Sequence, residues 1–310
     1  GIRELLAVSN LRNADSGLTA RHIGFQLGPR LNAAGRIGDA ADSLNLLMTK
    51  DEQEAKDLAN KLDSLNTQRR QEQDRTFDEA LEVIEKEGGA AAYALVAANK
   101  GWHPGLIGIV AGKLVERYTR PAFVISIDDE GVAKGSARSI PGLHLAEALD
   151  AVRPLLTSGG GHELAAGFSL DEAKVPAFAQ GLEEHARKTL TPEHFVKTIQ
   201  IDGEIDAEDC TAAVALELER LAPFGEAHPE PVFLSRGLRV VGLRRTSNPI
   251  HAMVTFKSEN GQLIQAMAFG MADEFAELDQ ATKIDVVYKT ELSYYGGQER
   301  FRWIVQDFER

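Results

Sequence analysis

The sequence predicts an α/β domain followed by an all-β barrel, with a long helix connecting them to a short N-terminal segment. Three observations carry this: helical periodicity without a proline over about residues 49–88, alternating strand and helix patterns from Tyr93, and five strand-like runs after Pro231. With 310 residues, 43% hydrophobic and 26% charged, the chain has room for two or three domains of ordinary globular composition. Disorder, collagen and coiled coil are excluded as global descriptions.

Taken in order, residues 1–48 open at Gly1 and run straight into Ile2, Leu5 and Leu6 with no capping residue, the look of a cut edge or of a processed terminus. Thr49 to Glu52 reads as a capping box, so a helix is expected to start there and run to the stop at Gly88-Gly89. Such a helix of 49–88 would be ~55 Å long, and its polar middle, Asn66 to Thr76, reads as a solvated bar joining two domains. In 89–190, Ala94 to Ala98 is a buried-strand pattern, Gly105 to Tyr118 a helix, Pro121 to Ile127 and Val132 to Arg138 strands, and Leu143 to Val152 a helix. In 191–310, a helix over Glu208 to Leu221 precedes strands at 232–241, 251–257, 263–269, 284–292 and 301–307, with a helix at 271–278 after the third strand. That is the element order of an OB barrel, a fold that often binds single-stranded nucleic acid.

The net charge of −13 argues against a nucleic-acid coat protein. The acid is concentrated in residues 51–88 and 171–229, however, leaving 1–50 at +2 and 89–170 neutral. The longest apolar stretch, 88–98, is too short to span a bilayer and no signal segment opens the chain, so a cytoplasmic protein without membrane association is expected. The single cysteine, Cys210, excludes an intramolecular disulfide and a cysteine-rich zinc site.

Four stretches can carry chemistry. Gly159, Gly160, Gly161 and His162 let a backbone approach a ligand and aim N–H groups at an anion, phosphate being the natural guest; a flexible turn with a surface histidine is the alternative. Ser136 and Arg138 share one face of a predicted strand, where a hydroxyl and a guanidinium fork suit a terminal phosphate, or form an ordinary solvated face. Trp102 and His103 precede a helix whose first N–H groups are free, so all of them can face a ligand; a packing residue and a loop polar group are the equally good alternative. Arg30, Asn32 and Arg36 stand in a small-residue run, 28–36, read as a loop presenting polar groups outward or as a salt-bridge site. On the barrel, Arg244, Arg245 and Lys257 offer phosphate contacts, and Phe256, Tyr294, Tyr295 and Trp303 are candidate base-stacking faces, half of which strand alternation will place in the core.

The order of these stretches matters more than any one of them. Leu-Gly-Pro-Arg-Leu-Asn-Ala-Ala-Gly-Arg at 27–36, Trp-His-Pro-Gly at 102–105, Gly-Ser-Ala-Arg-Ser-Ile-Pro-Gly-Leu-His at 135–144, Gly-Gly-Gly-His at 159–162 and Leu-Ala-Pro-Phe-Gly-Glu-Ala-His-Pro-Glu-Pro-Val-Phe at 221–233 together resemble the RecJ family of single-stranded-DNA-specific 5′→3′ exonucleases in the DHH phosphoesterase superfamily. The resemblance covers essentially the whole chain. It implies the tail of a DHH domain in 1–48, a connecting helix at 49–88, a DHHA1 domain at 89–190 and an OB domain at 191–310. No Asp-His-His triplet occurs, nor the other Asp/His clusters with which the family holds two Mn²⁺ or Mg²⁺ ions, so no metal ligand or catalytic residue is expected within this chain and the chain alone is expected to be inactive. Asp15, His22, Asp39 and Asp42 are the alternative, cryptic metal site, at a spacing that matches no ligand pattern.

By resemblance, Ser136 and Arg138 hold a 5′-terminal phosphate, residues 159–162 close the site, and Arg30, Asn32 and Arg36 contact the strand near the catalytic cleft. The implied partners are single-stranded DNA with a 5′-phosphate, with a single-strand-binding protein and a helicase as further candidates, around a monomer acting in recombination and repair. The competing function class is a non-catalytic DHHA1–OB adaptor that binds single-stranded DNA or a replication partner. An oligoribonuclease or tRNA-editing relative is weaker, since those families lack the Pro-Phe-Gly…Pro-Glu-Pro link into an OB domain.

Overall fold

Leu5, Leu27, Ala34 and Leu46 converge from separate turns of the N-terminal segment on Ala55, Ala59 and Leu62 of the long helix, and this small core sets the architecture of the first fifty residues. The computed structural model describes residues 1–11, 17–279, 282–295 and 298–310, and the side chains of these other than 90, 293–295 and 298–299. The segment forms α1 (Ile2–Val8), a short α2 (Ala20–His22), a π-helical turn Ile23–Leu27, α3 (Gly28–Ile37) and α4 (Ala40–Met48) before α5 (Glu52–Lys86). The run 28–36, expected as a loop, is therefore helical. Pro29 falls in the first turn of α3, directly after the π-helical turn that leads into it, and burial of Ala33 and Ala34 offsets the roughly 1 kcal/mol that the interior Gly35 costs the helix.

The long helix is present, with two corrections. Its cap is Asp51, whose Oδ1 accepts from the Glu54 N–H at 2.7 Å; Thr49 instead accepts from the Asp51 N–H at 3.2 Å and bonds the Glu54 carboxylate. Asp51→Ala is expected to cost about 1 kcal/mol, read as a lower midpoint in a thermal melt. The second correction concerns the polar middle, which is not uniformly solvated: Asn66, Gln73 and Thr76 are only 2, 6 and 0% exposed. Amide side chains can be buried when partnered, and here Arg69 donates to Asn66 Oδ1 at 2.9 Å and to Gln73 Oε1 at 2.6 Å.

The α/β part follows as β1 (Leu95–Lys100), α6 (Ile107–Tyr118), β2 (Ala122–Ile127), β3 (Val132–Arg138), α7 (Leu145–Ala151), β4 (Leu156–Gly161), β5 (Ala165–Asp171) and α8 (Val175–Thr189). Its sheet runs β1-β2-β3-β5-β4, with β1 and β2 parallel and the other pairs antiparallel. Strand alternation sends Phe123, Ile125, Ala133, Ala137, Phe168 and Leu170 to one face, where α7 and α8 cover them. Leu95, Ala97, Ala122 and Val124 face the opposite way, against α6 and the end of α5. On that second side the apolar packing covers β1 and β2 and the start of α6 reaches β3, which leaves β5 and β4 to face outward.

The C-terminal part contains β6 (Gly203–Glu204), α9 (Ala212–Glu219), β7 (Phe233–Arg245), β8 (Ala252–Lys257), β9 (Leu263–Ala268), α10 (Ala272–Ala276), β10 (Lys283–Tyr295) and β11 (Gln298–Glu309). Strand β7 pairs with β8, β8 with β9, β9 in parallel with β11, β11 with β10, and β10 again with β7, closing a five-stranded barrel with α10 between its third and fourth strands. This is the OB arrangement that the element order predicts. The fold divides into two units, one holding Arg21–Thr198 and the other Ile199–Arg310.

Candidate nucleic-acid interface

The uncovered half of the α/β sheet is floored by residues without bulk. Across the strands, Val124, Ser136, Gly167 and Gly160 form one row, and Ser126, Lys134, Ser169 and Ser158 the next. Because β3 alternates, Ala133, Gly135 and Ala137 are buried while Lys134, Ser136 and Arg138 face this shelf. Gly135 has a reason of its own on the other side, since a Cβ there would lie 2.1 Å from the Phe168 ring.

One wall of the shelf is the first turn of α6. A Cβ on Gly108 would sit 2.9 Å from Ser136 Oγ and 3.4 Å from Arg138 Nη2, so glycine is what lets the helix start come this close. No side chain caps that helix, and Pro104 and Gly105 lead the chain into it. Its first N–H groups and positive dipole end are thus next to a hydroxyl and a guanidinium. Arg138 Nη1 donates to the Ala137 carbonyl at 2.8 Å and approaches Ser136 Oγ at 3.4 Å, and among the described residues no carboxylate pairs with it. A half-buried guanidinium without a counter-ion, beside a helix N-terminus and above a glycine floor, is suited to a compact dianion such as a terminal phosphate.

The other sequence-derived candidates separate into those that face solvent and those that do not. The glycine run is an edge strand, not a turn: Gly159 pairs with Phe168, Gly160 with Gly167 and Gly161 with Ala166. A Cβ at Gly161 would lie 2.5 Å from the Ala165 carbonyl, whereas one at Gly160 would meet nothing within 4 Å. Arg153 donates to the Gly159 carbonyl at 2.8 Å and covers part of that edge. His162 follows, exposed, with its backbone N–H on the Ala165 carbonyl at 2.8 Å.

Trp102 is corrected to a core residue: it is 2% exposed, and its indole N–H donates to Glu79 Oε2 at 2.7 Å. The Ser126 hydroxyl also holds its carbonyl, at 2.5 Å. This anchoring positions His103, which stays exposed with Nδ1 accepting from the Gly105 N–H at 3.1 Å. Gly105 permits the docking of α3, because a Cβ there would meet the Arg36 carbonyl at 2.2 Å. Arg36 is exposed and donates to the Gly105 carbonyl at 3.2 Å, and Asn32 is exposed one turn earlier. Arg30 is different: it pairs with Asp63 at 2.8 Å and donates to the Gln26 and Val8 carbonyls at 2.7 and 3.4 Å, so its guanidinium is committed to bracing α3 against α5.

On the barrel, Phe256 and Trp303 are both 0% exposed and belong to the core, a correction of their reading as base-stacking faces. Arg245 is committed to Asp273 at 2.7 Å and to the Pro249 carbonyl at 2.7 Å. Arg244 and Lys257 do face outward. Arg244 leans on the Met253 sulfur at 3.1 Å, and Arg239, Lys257 and Leu263 form a cross-strand row on β7, β8 and β9. The side chains of Tyr294 and Tyr295 lie outside the described residues, as does Asp15.

Among the described residues, no group of three or more His, Cys, Asp or Glu is placed to hold a metal ion. Nor is any helix there long and apolar enough to cross a membrane. Sequence reading missed Gly108, Gly167 and Lys134 at the shelf; a glycine in the first turn of a helix was the available signal for Gly108.

A five-stranded α/β layer with this shelf, followed by a closed OB barrel, defines a DHHA1–OB protein, and the family descriptions agree: the DHHA1 domain matches residues 88–188 and the RecJ OB domain matches 201–307. The chain is 37% identical over 99% of its length to the single-stranded-DNA-specific exonuclease RecJ of Bacillus subtilis, and 33% identical over 99% to that of Escherichia coli. A crystal structure of RecJ from Thermus thermophilus in complex with Mn²⁺ superposes on the entire chain with a TM-score of 0.82 at 29% identity, and one in complex with Mg²⁺ does so at 28%. The chain belongs to the RecJ family, as the region bearing the DHHA1 and OB domains. It spans 39% and 54% of those two exonucleases, and 45% of the Mn²⁺-bound chain.

Proposed function

We propose that these 310 residues are the substrate-gripping part of a metal-dependent exonuclease that removes nucleotides 5′→3′ from single-stranded DNA in cytoplasmic recombination and repair. The observation that carries this reading is the Ser136–Arg138 pair, unpaired by any described carboxylate, set beside the start of α6 over Gly167 and Gly160. Arg138 and Ser136 seat the terminal 5′-phosphate, and the α6 N-terminus adds N–H donors and a favourable dipole. The glycine strand and His162 border the seat, and holding the 5′-phosphate there sets which end of the strand is presented for cleavage. Outward-facing Arg239, Arg244 and Lys257 on the barrel supply sequence-independent phosphate contacts, and a single-strand-binding protein and a helicase are the partners this role supplies.

Solved RecJ proteins hold Mn²⁺ or Mg²⁺, and no set of described side chains in this chain fits such an ion. Hydrolysis is accordingly assigned to DHH residues of the kind the family uses, and no bond-breaking step is drawn through the residues described. The test is fluorescence anisotropy of the 310-residue chain with 5′-phosphorylated and 5′-hydroxyl oligonucleotides, repeated with Mn²⁺ and a nucleotide-release assay. Salt-sensitive binding that favours the 5′-phosphate, without release, is expected. Equal binding of both ends would overturn the end seat, and metal-dependent release by this chain would overturn the division of labour.

A further inference from the structure

A second concentration of positive charge lies where α3, α5 and the loop before α6 meet. Arg69 sits on the partly buried stripe of α5, held by the side-chain amides of Asn66 and Gln73 at 2.9 and 2.6 Å. Two neutral amides fix the direction of a guanidinium and leave its charge uncompensated, which is an unusual way to bury an arginine. Burial holds the Arg69 pKa below its ordinary value, with the neighbouring charges of Arg70 and Arg36 acting in the same direction and Asp74 acting against them. Asp74 already pairs with Lys113 at 2.8 Å. Among the described residues, none of the three arginines forms a salt bridge; Arg36 is instead held by the Gly105 carbonyl at 3.2 Å. A cleft of about 450 Å³ opens alongside, where Ile37 and Gln68, the chain neighbours of Arg36 and Arg69, meet His103 and Lys134. Three acids line that cleft: Glu72 pairs with Arg75, Asp128 accepts the N–H groups of Glu130 and Val132 at 3.1 and 2.8 Å, and Asp129 is exposed at its rim.

We propose that Arg36, Arg69 and Arg70 form a second anion site, which takes an internal backbone phosphate of the single strand whose 5′ end is seated at Ser136 and Arg138. This rests on the function proposed above and adds to it the path of the strand away from its end. The two positions are linked through one short segment: Gly105 bears on the Arg36 backbone and Gly108 on Ser136. Gly105 and Gly108 lie three residues apart, on the turn that leads into α6 and on its first turn. Arg69 is the fixed member of the site, while exposed Arg70 and Arg36 can close on a phosphate from solvent.

The experiment compares the 310-residue chain with Arg70→Gln and with Arg69→Gln/Arg70→Gln, using 5′-hydroxyl oligothymidylate so that the end seat does not contribute. The double variant is expected to bind about 10-fold or more weakly, and its log–log salt slope is expected to fall by roughly 1.4, about 0.7 for each lost phosphate contact. The ratio between 5′-phosphate and 5′-hydroxyl affinities stays unchanged. Arg70 is exposed and braces nothing, so Arg70→Gln folds and carries the test at half the slope change should the double variant fail to fold. Wild-type affinity and slope in Arg70→Gln, or a change confined to the end preference, overturns the proposal alone. If the wild-type chain binds neither strand at low salt, this proposal falls together with the reading beneath it.

Discussion

Arg138→Ala is expected to erase the preference for a 5′-phosphorylated over a 5′-hydroxyl strand while leaving the thermal midpoint nearly unchanged. The structural loss is small, because the guanidinium bonds only the carbonyl of the adjacent Ala137 and grazes the Ser136 hydroxyl. The binding loss is large. A terminal phosphate meets a fork of N–H donors in a half-buried position, and a charge-assisted bond of that kind is worth ~1.5–3 kcal/mol, or about 10- to 150-fold in affinity. A 5′-hydroxyl strand never had this interaction, so its affinity moves little and the ratio between the two ends collapses toward one. Arg138→Lys keeps the charge without the fork and is expected to fall between the two. Anisotropy titrations with paired oligonucleotides read the ratio directly. If Arg138→Ala keeps the wild-type ratio, the phosphate sits elsewhere; if it weakens both ends equally and lowers the midpoint, Arg138 is a structural residue.

The elements most legible from sequence were those whose pattern and core placement agree. The strand β3 is found at Val132–Arg138 as alternation predicts, because small buried residues and polar outward ones take turns along it. The barrel strands were readable for the same reason, within a few residues at their ends. The glycine strand β4 was not, since only Leu156 and Thr157 at its start carry a strand signal and the Ser-Gly-Gly-Gly that follows takes its strand state from pairing with β5. Likewise α3 hid behind two glycines and a proline, each of which reads as a breaker until Ala33 and Ala34 are seen to be buried.

At the candidate site, Ser136 and Arg138 could be paired from a period of two, but what brings Gly108 to them is tertiary packing of α6 on the sheet. The Arg69–Arg70 pair was passed over because it lies in a stretch of glutamines and asparagines that looks solvated. Only the burial of Asn66 and Gln73 shows that these amides are supports for a guanidinium. Trp102 illustrates the reverse error: a tryptophan beside a histidine in a loop invites a ligand role, yet its indole reaches Glu79 and the hydrophobic layer under α6.

Trp303→Ala is expected to destabilise the barrel severely. Trp303 and Tyr288 are both 0% exposed and stack with ring centroids 3.5 Å apart and planes 2° from parallel. Around them, Phe256 lies 6.5 Å from Trp303, and Phe275 lies 5.9 Å from Phe256. Cys210 packs against the same pair, where burial pushes its thiol pKa up. Removing an indole from such a centre leaves a cavity that the closed barrel cannot collapse to fill, at a cost of about 3–5 kcal/mol, which for a domain of this size lowers the midpoint by roughly 15 °C or more. Trp303→Phe keeps an aromatic face on Tyr288 and loses less. Calorimetry, with binding measured below the lowered midpoint, separates the two roles an aromatic residue can play on an OB strand. A core tryptophan predicts a large shift in midpoint and, where the barrel is still folded, nearly unchanged strand affinity. A base-stacking tryptophan predicts the opposite, and that result would return Trp303 to the binding surface.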